Sequence, residues 1–162
     1  VTHPLATPIE WAPALTPELE RMNLHYMEYL EALDDERFAR VVEDWIEANP
    51  LSRAGSWRIG WNSFVLSLRA LVWMQQLAAR RERLEPSFVR RARASLVEQV
   101  RFLESHLELD IGGNHLIKNA KTLLWAGAFF RGAAAQRWSA LGAELLRAEL
   151  DEQVLADGLH YE

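Results

Sequence analysis

The residue types best suited to chemistry stand together in Gly112–Lys121: a glycine pair, then Asn114 and His115, then an apolar run that carries Lys118 and Lys121. This order sets an amide and an imidazole at the mouth of a helix N-terminus. Exposed backbone N–H groups and the helix dipole favour a bound anion there. Asn114 has two readings. It is a helix cap or left-handed loop residue after the glycines, or an amide donor aimed at a carboxylate or carbonyl. His115 alone suits a hydrogen-bonded structural role, but beside Asn114 it would face the same cleft. Lys118 and Lys121 lie one and two turns beyond Asn114 on roughly one face. They either add positive potential for an acidic ligand or face solvent.

A second cluster is Trp57, Trp61 and Arg69. A large flat ring beside a cation makes a sugar-stacking platform, and the same tryptophans would also plug a loop against a helical layer. Other chemistries find little support. His25, His106, His115 and His160 lack metal-ligand spacing, and His106 with Asp110 is one isolated pair, so no metal is expected. Neither a Ser-His-Asp order nor a nucleophile elbow occurs. Gly112-Gly113 is too short for a phosphate or dinucleotide loop, and no cofactor is called for.

The chain has 162 residues, enough for one domain or part of a larger one, and 49% hydrophobic residues, ample for a core. A net charge of -5 argues against nucleic acid as a partner. The exception, Arg80-Arg81-Glu82-Arg83 with Arg90-Arg91-Ala92-Arg93, reads as a solvated face around a helix junction. There is no cysteine, so disulfide and thiol chemistry are excluded. No run is long and apolar enough to span a bilayer, and no membrane partner is expected. The N-terminus lacks a Met and a signal-peptide pattern, so the chain reads as a processed form or an excised portion.

Helical periodicity dominates the elements that must hold these residues. Residues 1–15 read as an extended, proline-rich lead-in, and residues 16–162 as one helical domain. Thr16-Pro17 starts a helix, hydroxyl cap then proline, that runs to about Leu33. Asp34-Asp35 cap a second, ended by Asn49-Pro50. After a loop over 51–62, a third helix, about Ser63–Arg81, is apolar nearly all round and therefore buried on more than one side. Pro86 opens a fourth, to about Leu109. A fifth spans about His115–Arg131 and a sixth about Ala134–Leu155, followed by a turn at Asp157-Gly158. Broadly buried helices alternate with one-face helices, which predicts an all-α fold of antiparallel hairpins in two layers: an (α/α) toroid, incomplete here, rather than a four-helix bundle. No repeat of fixed period is visible.

The string from Asn114 through Leu116 to Gly127 resembles the Asn-His-Leu segment of the heparinase II/III family of polysaccharide lyases. Asn23–Leu30, Trp61–Trp73 with Ser67-Leu68-Arg69, and Gln153–Glu162 resemble further segments of that family in the same order. The resemblance implies an N-terminal (α/α) toroid followed by a C-terminal β-sandwich domain. It also implies β-elimination of uronate-containing polysaccharides such as heparan sulfate or alginate. The uronate carboxylate must be neutralised before its C5 proton becomes acidic enough to leave, and by match to the motif Asn114 and His115 would do this. A base then takes the proton and an acid protonates the departing oxygen.

The family's catalytic tyrosine, in a Ser-Pro-x-Tyr type motif, falls beyond Glu162, and Tyr161 lies too early to take that role. The resemblance therefore implies the substrate-neutralising half of a lyase site, inactive as an isolated chain, with Arg69, Lys118, Trp61 and Trp57 as substrate-binding residues and a periplasmic or secreted location. Asn114, His115, Lys118 and Arg69 are expected to line one concave surface. A non-catalytic carbohydrate-binding domain and a helical adaptor are the competing readings.

Overall fold

The computed structural model describes residues 9–153, so the turn at Asp157-Gly158, His160, Tyr161 and most of the Gln153–Glu162 segment lie outside the described residues. Within them the chain is helical, with six α-helices: α1 Glu18–Tyr26, α2 Asp35–Ala48, α3 Ser63–Ala79, α4 Pro86–Ser105, α5 Gly113–Phe129 and α6 Ala133–Gln153. Short 3-10 turns cover Glu28–Ala32 and Ser56–Arg58. No strand occurs among the described residues. Local chemistry fixes most boundaries. Asp34 accepts the Arg37 N–H at 2.8 Å and caps α2. The Asn62 side chain accepts from Phe64 and Val65 N–H and caps α3. Pro86 occupies the start of α4, where its missing N–H has no consequence.

The odd-numbered helices form an inner layer and the even-numbered ones an outer layer. α3 packs against α1 and α5, α4 packs against α2, α3 and α5, and α6 lies along α5. α3 is buried on most of its circumference, as its nearly continuous apolar sequence requires. This is the all-α toroid-type stacking of hairpins. Its core gathers Trp45, Trp61, Trp73, Phe38, Met27, Leu66, Leu96 and Leu103. α5 and α6 approach so closely that a Cβ on Gly142 would stand 2.7 Å from the Ala120 carbonyl oxygen.

Several boundaries depart from the periodicity, and α4 ends at Ser105 rather than near Leu109. The first helix does not run through to Leu33: it ends at Tyr26, and Met27 takes a left-handed conformation at φ 60°. This is unfavourable for a side chain with a Cβ. The break buries Met27 beneath α3, where its sulfur accepts the Trp73 indole N–H at 3.3 Å. The helix also starts one residue late, with Pro17 rather than Thr16 in the cap position and no side-chain cap bond. The lead-in, within residues 9–15, is bent rather than extended. Trp11 is buried, donates its indole N–H to Asp44 at 2.6 Å, and meets His25 through its carbonyl.

Candidate functional site

The ends of α1, α2 and α4 and the starts of α3 and α5 converge at one end of the helical layer. Tyr26 meets Phe64 edge-on at 6.1 Å, and Phe64 meets His115 at 4.5 Å between ring centroids. The Ser63 hydroxyl donates to the His106 carbonyl, and the Trp61 indole donates to the Asn49 carbonyl at 2.8 Å. The α4–α5 connection closes tightly here: the N–H groups of Ile111 and Gly112 both donate to the Glu108 carbonyl, at 3.2 and 2.9 Å. Gly112 and Gly113 sit at φ 65° and 53°, a region glycine enters without steric penalty. That turn delivers Asn114 and His115 into the first turn of α5.

Gly112, not Asn114, occupies the cap position of α5. Asn114 stands exposed, His115 and Lys118 are half-buried, and Lys121 is exposed. Asn114 is therefore exposed and His115 part-exposed at a helix N-terminus, but they share no surface with Arg69, contrary to the expectation. Beneath them lies a polar cluster that spacing along the chain did not reveal. His115 Nδ1 is 3.0 Å from Glu108 Oε1. Asn119 donates through Nδ2 to Glu108 Oε2 at 3.0 Å and to Ser67 Oγ at 3.1 Å, while its Oδ1 accepts the Glu108 backbone N–H at 3.0 Å. The Thr122 hydroxyl donates within reach of the Ser67 and Lys118 carbonyls, 3.0 Å from each. Glu108, Asn119, Ser67 and Thr122 are all buried. Ser67, Asn119 and Thr122 fall within segments singled out in the sequence; Glu108 does not. Glu108 precedes the glycine turn, so no helical spacing connects it to His115.

Arg69 and Trp61 are corrections to the expected surface. Arg69 is 0% exposed. Its guanidinium lies 3.9 Å from the Trp45 ring centroid, and it donates to Gln99 Oε1 at 3.0 Å and to the His25 carbonyl. Burial pulls its pKa down to about 9, an effect that Tyr29 partly opposes. Trp61 is 1% exposed, packed between Trp45 and Phe102. A helix apolar on all faces has no outer side to offer Arg69, so this residue became a buried strut. Trp57 alone of that cluster reaches solvent, 61% exposed on the Ser56–Arg58 turn, with the Arg58 guanidinium 5.4 Å from its ring centroid. His25 joins the same core. It accepts the Trp45 indole N–H on Nδ1 at 2.9 Å and holds the Trp11 carbonyl oxygen on Nε2 at 2.9 Å. Burial, aided by the charge of Arg69, pulls its pKa down to about 4, against the contact with Trp11.

The family model of the heparinase II/III N-terminus matches residues 13–162. The chain belongs to this family. It is 29% identical over 125 residues to a heparin-sulfate lyase of Bacteroides thetaiotaomicron, covering 75% of this chain and 18% of that protein. It is 27% identical over 157 residues to a heparin-sulfate lyase of Pedobacter heparinus, covering 88% and 24%. The fold superposes on the crystal structure of the heparan sulfate lyase HepC from Pedobacter heparinus with a TM-score of 0.82 at 25% identity, over 96% of this chain and 27% of that one. A heparinase III structure matches in fold with a TM-score of 0.76 at 24% identity, over 94% and 25%. The chain thus spans about a quarter or less of the length of the relatives it matches.

Proposed function

We propose that this chain is the substrate-neutralising part of a polysaccharide lyase that cleaves a uronate-containing, heparan sulfate-like polymer by β-elimination. The observation that carries the reading is the pair Asn114 and His115, exposed and part-exposed in the first turn of α5, within a segment matched by the family. An anionic carboxylate placed there meets an amide, an imidazole and the positive end of a helix dipole. These groups hold the charge that grows on the carboxylate as the C5 proton leaves. Lys118, one turn along, adds positive potential, and Trp57 offers a ring face for a neighbouring sugar. In this reading the proton-transfer groups and the C-terminal β-sandwich belong to the longer protein, the isolated chain is inactive, and the enzyme works in the periplasm or outside the cell. Alginate is the alternative polymer.

Asn114→Ala in the full-length protein tests this directly. The expected loss in turnover is about 10²- to 10³-fold, the range for removing one preorganised donor. A melting curve of the same variant separates a loss of turnover from a loss of fold. Unchanged turnover would leave Asn114 as a surface residue of a carbohydrate-binding scaffold.

A further inference from the structure

Glu108 is a buried carboxylate that the reading above does not use, and it lies against His115 on one side and Asn119 on the other. We infer that Glu108 is a positioning residue that holds His115 in its Nδ1–H form and so turns Nε2 toward the substrate; this rests on the lyase reading of His115. An ionised carboxylate only accepts hydrogen bonds, so the Nδ1 at 3.0 Å must carry the proton between them. Glu108 is itself held from two directions. Its backbone N–H donates to Asn119 Oδ1, and its Oε2 accepts from Asn119 Nδ2. The orientation of the Asn119 amide is fixed in turn, because one end must accept from that N–H while the other donates to Ser67. Phe64 packs against the imidazole, ring centroids 4.5 Å apart. The chain of contacts runs from α3 through Asn119 and Glu108 to the ring, so the rigid inner layer sets which nitrogen meets a ligand.

The same geometry makes Glu108→Gln a tautomer switch. Asn119 Nδ2 demands an acceptor, so the glutamine oxygen turns to it and the glutamine NH₂ faces Nδ1. His115 must then accept on Nδ1 and carry its proton on Nε2. The test is the long-range proton–nitrogen correlation spectrum of the 162-residue chain labelled with ¹⁵N-histidine, in which five histidines must be assigned. The wild type is expected to show the Nδ1–H form of His115 at neutral pH, and E108Q the Nε2–H form. In the full-length protein E108Q lowers kcat/KM roughly 10- to 100-fold, as when the partner orienting a functional imidazole is lost. An Nε2–H tautomer in the wild type overturns the inference and needs no variant to fold. E108Q turnover equal to wild type overturns it as well. Failure of the lyase reading shows separately, as Asn114→Ala turning over normally while the His115 tautomer is as expected.

Discussion

Asn114 and Trp57 are both exposed, and the proposed function makes a different demand of each. In the proposed function Asn114 would act on the reacting sugar, so its removal is expected to lower turnover. Trp57 stands out on a turn held by the Ser56 hydroxyl to the Leu51 carbonyl and by the Trp61 N–H to the Ser56 carbonyl. In the proposed function its ring would lend apolar contact to a neighbouring sugar, so Trp57→Ala is expected to raise KM several-fold with kcat nearly unchanged, a loss of uniform binding. Stability should hold within about 0.5 kcal/mol, as for other exposed positions. Steady-state kinetics of the full-length protein, with a melting curve, separates these effects. A collapse of the fold would show that Trp57 is a plug for the loop.

The closeness of α5 and α6 is the element-scale feature most open to test. Gly142 lets α6 lie against the backbone of α5 at Ala120 and Leu124. Gly142→Ala forces main-chain atoms apart and is expected to destabilise by about 1–3 kcal/mol despite the better helix propensity of alanine. Denaturant unfolding measures this, and a stabilised variant would contradict the packing. Helix existence and layering were legible because they depend on local periodicity and caps: Asp34, Asn49, Pro86 and the all-round apolar α3 each declared themselves. The Met27 break was not legible, since it satisfies the burial of one side chain beneath α3. The glycine pair before Asn114 and His115 was legible as the break that opens α5. The contacts of Glu108 with His115 and Asn119 were not legible because they cross that turn, and Arg69 was misplaced because a charged residue read alone suggests a surface.

At the scale of the whole molecule, acid stability is governed in part by His25. Its pKa is about 4 in the fold against an ordinary 6.5. The folded state therefore binds this proton less readily than the unfolded chain. The stabilisation is fully present above pH 6.5 and is lost as pH falls from there toward 4, by about 3 kcal/mol in total. Asp35 and Glu104, held low by hydrogen bonds from Arg83 and Arg137, add their losses only within and below the ordinary carboxylate range. Unfolding curves between pH 7 and 4.5 isolate His25, and His25→Gln should flatten them. A flat wild-type profile would contradict the buried neutral imidazole.

The central claim concerns the reaction, and the near-UV absorbance of the unsaturated uronate product tests it most directly. Heparan sulfate, heparin, alginate, hyaluronan and chondroitin would each be offered to the 162-residue chain and to a form extended by its native downstream sequence. The account predicts a rise only with the extended form, strongest on heparan sulfate and slowed about 10²- to 10³-fold by Asn114→Ala. No rise on any polymer with a folded extended form would contradict it.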